Sequence, residues 1–247
     1  MKMIAANNQN KNALWRWAWV VTFAIAFAWV ESAVVVYLRE IYFDGAFYFP
    51  IVVNYQEGKH VLDHLMWTEL GREAATIIIL VAVGCSAGKS GMQRFSFFMI
   101  SFGIWDIFYY VWLKVLVNWP ENLMTWDLLF FIPLPWVGPV ITPVLIALTM
   151  VISGTLIIYY DEKGFKIKFF WYDWGTILGC GVLMIVAFCW DWKNIMRIPD
   201  GIDRTGIPNP FFWELYLPAL LFSVIYFTIR FRQILSRYQP ENASPEG

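Results

Sequence analysis

Long apolar blocks separated by short polar stretches dominate this chain. Six of them reach, or nearly reach, the roughly 20 residues that a helix needs to cross about 30 Å of hydrocarbon. They run from Leu14 to Tyr37, Glu69 to Ala87, Phe95 to Val117, Val137 to Tyr160, Trp174 to Trp190 and Phe211 to Ile229. The first occupies the place of a signal peptide, yet its apolar run is too long and no small-residue cleavage site follows, so a retained spanning helix is expected. The pattern predicts an all-α polytopic membrane protein of about six transmembrane helices in one domain over residues 1–247. Polar tails are expected at about 1–12 and 239–247.

One stretch breaks the pattern. Leu123 to Pro143 reads LMTWDLLFFIPLPWVGPVITP, an apolar segment interrupted by Pro133, Pro135, Gly138, Pro139 and Pro143, with Asp127 inside it. Its unbroken part is too short to span, and irregular backbone at membrane depth survives only when protein buries it or it lines a cavity. A short interfacial or re-entrant segment is expected here. An aromatic interfacial loop leading into a proline-opened helix is the alternative.

Composition agrees with the bilayer as solvent. The 247 residues are 59% hydrophobic and 15% charged, with mean hydropathy +0.54, whereas soluble domains carry about 25% charged residues. The 15 Trp, 12 Tyr and 21 Phe fit interfacial belts and packed helices. A formal charge of -1 supplies no basic field, so nucleic acid is not an expected partner; membrane lipids are, and other membrane subunits are a further candidate. Cys85, Cys180 and Cys189 form no C-x-x-C pair and read as small buried apolar residues.

Basic residues collect on one side. Alternating the ends gives that side Lys2, Lys11, Arg16, Lys89, Arg94, Lys163, Lys166, Lys168, Arg230, Arg232 and Arg237, eleven of the eighteen. The positive-inside rule then places both termini in the cytoplasm, in an inner or plasma membrane. The longer connections fall on the outer side.

Against this background, Glu31, Arg72, Glu73 and Asp106 are out of place, because a charge on a spanning helix costs roughly 2.5 to 3.5 kcal/mol and is kept where it has a partner or a task. Glu69, Arg72, Glu73 and Thr76 are spaced i, i+3, i+4, i+7 and share one helical face. At about 1.5 Å per residue, Glu31 falls about 6 Å and Glu73 about 9 Å outside the midplane, with Asp106 near it. Small neighbours Ala28, Ser32 and Ala33 let helices approach. Tyr109 and Tyr110, one turn from Asp106, are candidate donors, and Asp127 joins them from the broken segment. The predicted site is an outward-opening polar cavity of Glu31, Glu69, Arg72, Glu73, Asp106, Tyr109, Tyr110 and Asp127. Arg72 neutralises one carboxylate there and leaves others to take a proton, a cation or a substrate group. The competing reading is a structural ion-pair network.

The two histidines, His60 and His64, fall in EGKHVLDHLMWTE ahead of the second block. Glu57 and His60 have the E-x-x-H spacing of di-iron bundles, but a second such motif is missing, so a surface loop with solvated imidazoles is expected. Glu57, His60 and His64 are therefore weak metal candidates. An intrinsic bis-His haem is disfavoured, because both histidines lie on one short segment. A metal held by Glu31, Glu73 or Asp106 stays open, and the cofactor is undetermined. GCSAGKSG at Gly84 to Gly91 departs from the Walker spacing and reads as a turn.

The function expected from these residues is handling of a small molecule, an ion or a lipid headgroup at the intramembrane carboxylate and arginine site, by transport or membrane-embedded catalysis. The alternative is a non-catalytic subunit of a larger membrane complex.

Overall fold

The computed structural model describes residues 2–42, 59–190 and 211–237. Within them lie α1 (Lys2–Tyr42), α2 (Lys59–Ala87), α3 (Gly91–Val117), β1 (Trp126–Phe130), β2 (Trp136–Pro139), α4 (Ile141–Glu162), α5 (Trp171–Cys189) and α6 (Trp213–Ser236). All six helices contain a stretch long and apolar enough to cross a membrane. The chain is a polytopic helical membrane protein.

Local sequence sets the helix ends. Ser90 caps α3 by accepting from the Gln93 N–H at 3.2 Å, and Asn118 ends it in the left-handed conformation at φ 56°, which an Asn tolerates better than most residues. Asp173 in the first turn of α5 accepts from the Phe170 N–H at 2.8 Å. Two helices begin earlier than the apolar pattern implies. Residues 2–13 continue α1 through the Asn-rich lead expected as a tail, and α2 starts at Lys59. Neither lead contains Pro, so a helix nucleated in the span propagates outward at little cost. His60 and His64 consequently lie on a helix, not in the expected loop.

Helices α1 to α4 form a bundle with α3 at its centre, and α5 with α6 forms a second pair. Glycines set the closest approach of α3 to α4. A Cβ on Gly103 would come 2.6 Å from the Ala147 carbonyl oxygen, and one on Gly154 would come 2.7 Å from that of Ser96. Such backbone contact maximises dispersion where lipid offers no hydrophobic driving force. At α1, Ser32 donates to the Tyr109 carbonyl at 3.0 Å and Trp112 donates to the Ile25 carbonyl at 2.9 Å.

The proline-broken segment is an antiparallel β-hairpin. Trp126 pairs with Pro139, Asp127 with Gly138, Leu128 with Val137 and Phe130 with Trp136, with a bulge between Leu128 and Phe130. Prolines remove the donors a helix would need; a short pairing with one residue displaced satisfies the backbone instead. Val137 and Val140 are fully buried, so α4 opens at Ile141 and not at Val137. The hairpin sits between the two helical groups. Its Trp136 ring stacks on Phe188 of α5 at 5.8 Å, and a Cβ on Gly138 would meet Phe211 and Phe188.

Antiparallel helices give the molecule two ends. The start of α1, the end of α6 and the α2–α3 and α4–α5 connections share the terminal end; the hairpin marks the other.

Candidate functional site

At the hairpin end the sequence-predicted residues assemble in two linked groups. Arg72 of α2 reaches Glu31 of α1 through Nη1, and Thr76 Oγ1 donates to the other oxygen of Glu31. The same guanidinium gives Nε and Nη2 to Glu69 Oε2 at 2.9 and 2.8 Å. Arg72 thus bridges two carboxylates instead of closing bidentately on one. The i, i+3, i+4, i+7 stripe of α2 is what makes this possible, because it stacks Glu69, Arg72 and Thr76 along the line facing Glu31. Glu31 is 4% exposed.

Glu73 belongs to the same stripe but turns to the hairpin. Both of its oxygens accept from the Phe131 backbone N–H, at 3.0 Å each. A carboxylate thereby supplies the acceptor that the residue just past β1 lacks within the two-stranded sheet.

The second group is poorer in donors. Tyr110 of α3 gives its hydroxyl proton to Asp127 Oδ2 at 3.1 Å, not to Asp106, the acid one turn away on its own helix. Asp127 is 4% exposed, and burial lifts its carboxyl from the ordinary 3.8 to about 6, against the opposing pull of Arg39 and of the Tyr110 hydrogen bond. Asp106 is 8% exposed and its Oδ2 is buried with no donor among the described residues. It lies within electrostatic range of Asp127, Tyr110 and Tyr216. Tyr216 spends its own proton on the Thr142 carbonyl at 2.6 Å. Beside them, Trp105 and Trp136 pack on the Phe130 ring at 6.3 and 5.6 Å, and both indole N–H groups are buried with no acceptor among the described residues. An enclosed polar atom left unpaired costs free energy comparable to a lost hydrogen bond, so these three atoms are the chemically unsatisfied points of the site.

Among the described residues the cluster therefore holds five carboxylates, Glu31, Glu69, Glu73, Asp106 and Asp127, with the guanidiniums of Arg72 and Arg39 nearby. Tyr109 sits within electrostatic range of Arg39, Arg72 and both aspartates. Arg39 had not been read as part of the site; its sequence signal is its place on α1 about two turns beyond Glu31. The Phe131 N–H had no signal, since a backbone donor carries no residue identity. Trp105 and Trp136 stood in an aromatic-rich background that hid them.

His64 is exposed on α2, Glu57 lies outside the described residues, and nothing is described of the His60 side chain. Among the described residues no group of three His, Cys, Asp or Glu is placed to hold a metal ion. Glu31 and Glu73 already have their oxygens engaged.

A second polar cluster, at the terminal end, escaped the sequence reading. Arg16 of α1 pairs with Glu162 of α4 and donates to the Ala87 carbonyl at 2.7 Å and to Gln93 Oε1 at 3.1 Å. Gln93 in turn donates to Asp161 at 2.7 Å and Glu162 at 3.0 Å, and Lys89 stands 3.7 Å from Glu162. On the outer pair, Asp173 is held by Arg230 at 2.6 Å and by Tyr226 at 2.6 Å. No family model, no curated protein and no solved structure matches this chain.

Proposed function

We propose that this multi-pass membrane protein takes up a proton or a small cation at the hairpin-capped carboxylate cluster and uses that step to handle a small molecule, an ion or a lipid headgroup. The observation that carries the reading is Asp106, an enclosed carboxylate whose Oδ2 has no donor among the described residues and which faces the field of a second buried acid, Asp127. Such an oxygen needs a proton or a cation of its own. Arg72 is committed to Glu31 and Glu69, so the charge it supplies is spent before it reaches Asp106. Ionisable groups kept in spanning helices commonly line proton or ion routes.

Proteoliposomes of the purified protein test this by charge displacement on a solid-supported membrane, with pulses of protons, Na⁺, K⁺ and Mg²⁺. A transient current is expected in the unaltered protein and not in Asp106→Asn of equal folded yield. No current for any cation from folded protein would overturn the reading. The basic terminal end supports cytoplasmic termini in an inner or plasma membrane, and labelling of a cysteine at Lys166 from outside would reverse that orientation.

One observation favours the second reading, a non-catalytic subunit. Gly175 and Gly179 of α5 have nothing within 4 Å of a built Cβ, and Leu178 and Val182 beside them are exposed, a face suited to another helix. Purification in fixed company, without cation currents, would support it.

A further inference from the structure

At the terminal end, away from the carboxylate cluster, α1 and α4 together line a cleft of about 560 Å³ with Ala13, Leu14, Trp17, Ile158, Tyr159 and Lys163. Its volume falls within the roughly 300–1,000 Å³ of ordinary ligand sites. Trp17 Nε1 donates to Thr155 Oγ1 at 3.2 Å and bridges the two helices. Leu14 is 67% and Tyr159 52% exposed, which turns the mouth outward from the bundle. Leu14, Trp17 and Tyr159 belong to spanning helices, so an outward mouth opens on lipid.

The wall and the rim differ in chemistry. The wall is apolar or aromatic, while the rim carries Glu162 and Lys163 where α4 ends. Glu162 is neutralised by Arg16 and by Lys89. Lys163 is exposed and meets no carboxylate among the described residues; its Nζ donates to the neutral Tyr159 hydroxyl and stands 4.1 Å from the centroid of that ring, and Lys166 and Lys168 stand exposed in the connection that follows. An ammonium beside aromatic rings at the depth where a span ends is placed for a phosphate, and basic pockets between spanning helices recognise anionic headgroups.

We propose that the cleft binds one membrane phospholipid with an anionic headgroup, an acyl chain lying along Ala13, Trp17 and Ile158 and the phosphate meeting Lys163. An acyl chain gains no hydrophobic free energy by leaving the bilayer for a protein groove. Selectivity therefore rests on the headgroup and retention on the fit of the chain.

The test is native mass spectrometry of the full chain released from nanodiscs of equal phosphatidylglycerol and phosphatidylcholine. One phosphatidylglycerol is expected to stay bound in preference to phosphatidylcholine. Lys163→Glu, an exposed change, should lower that preference about tenfold by turning one attraction into a repulsion. Lys114→Gln, at the opposite end, should leave it unchanged. Ala13→Phe, which fills the cleft, should reduce retention of both lipids, and Lys163→Glu keeps the test decisive if that variant does not fold. Equal retention of the two lipids overturns the proposal, as does unchanged preference in Lys163→Glu or an equal loss in Lys114→Gln. Displacement by added inorganic phosphate would mean a free-anion site and overturn the lipid assignment.

Discussion

The two polar ends of the bundle use the same residue types to opposite effect. At the terminal end, Asp161 and Glu162 meet Arg16 and Lys89, with Gln93 donating to both acids and accepting from Arg16. Within this cluster acid and base are in balance, and both acids have donors. At the hairpin end, the described residues bring five carboxylates to two guanidiniums; one acid is held by a backbone N–H, one by a tyrosine, and one keeps a buried oxygen with no donor among the described residues. The first arrangement is a fastening. The second, among the described residues, holds more acids than bases, and stability alone gives no reason to keep them, since a buried ion pair is rarely worth more than well-packed apolar residues.

The largest contrast should appear on removing the central arginine of each end. Arg72→Met leaves Glu31 and Glu69 without their shared counter-charge and should cost about 3–5 kcal/mol, read as loss of monodisperse protein in detergent. Arg16→Met should cost less, because Lys89 and the Gln93 amide remain on Glu162. Equal losses would erase the distinction between a bridge that cannot be replaced and one with reserves.

Acidity should separate the ends next. The Asp127 carboxyl is held near 6 by burial, so between about 4 and 6 the folded state binds more protons than the unfolded one. Its contribution to stability is then fully present below the ordinary carboxylate value and is lost as the pH rises through about 6. Two pH units correspond to roughly 3 kcal/mol. Thermal melts should therefore show the unaltered protein losing stability from pH 4 to 7 and Asp127→Asn flattening that slope; an unchanged slope would move the titrating group elsewhere.

Packing between the ends supplies a smaller effect. Gly103→Ala drives a methyl to 2.6 Å from the Ala147 carbonyl oxygen and should cost about 1–3 kcal/mol, as overpacking does, seen as a lower melting temperature with unaltered pH dependence. The smallest effect is expected at His64→Ala. That imidazole is exposed, and surface substitutions usually stay within about 0.5 kcal/mol. A larger loss, or the release of a stoichiometric metal, would bring the histidine segment into the site.

The sequence revealed long-range order where one helix carries the pattern by itself. Six apolar blocks became six helices, and helical periodicity put Glu69, Arg72 and Thr76 on the face that meets Glu31, with Glu73 turned from it to the hairpin. It was less informative where two distant segments must meet. The prolines after Phe131 excluded a helix, yet an apolar run of this length does not say what takes its place, and the pairing of Asp127 with Gly138 depends on partners on α2, α3 and α5. Tyr110 shows the same limit: periodicity put it one turn from Asp106, while the fold delivered a nearer acceptor from the hairpin. Arg16 and Gln93 read as ordinary interfacial residues until α4 brought Asp161 and Glu162 against them. Helix starts were misplaced wherever polar residues continued a helix beyond the apolar block.

The position of the hairpin in the chain also bears on biogenesis. It lies between α3 and α4, so the ribosome delivers it before α5 and α6 exist, and Glu73 and Tyr110 are already present to hold it. The stacked face of Trp136, with the glycine gap at Gly138, is then in place when Phe188 and Phe211 arrive. The late helical pair meets a prepared seat in the early bundle, and synthesis order and assembly order run in the same direction.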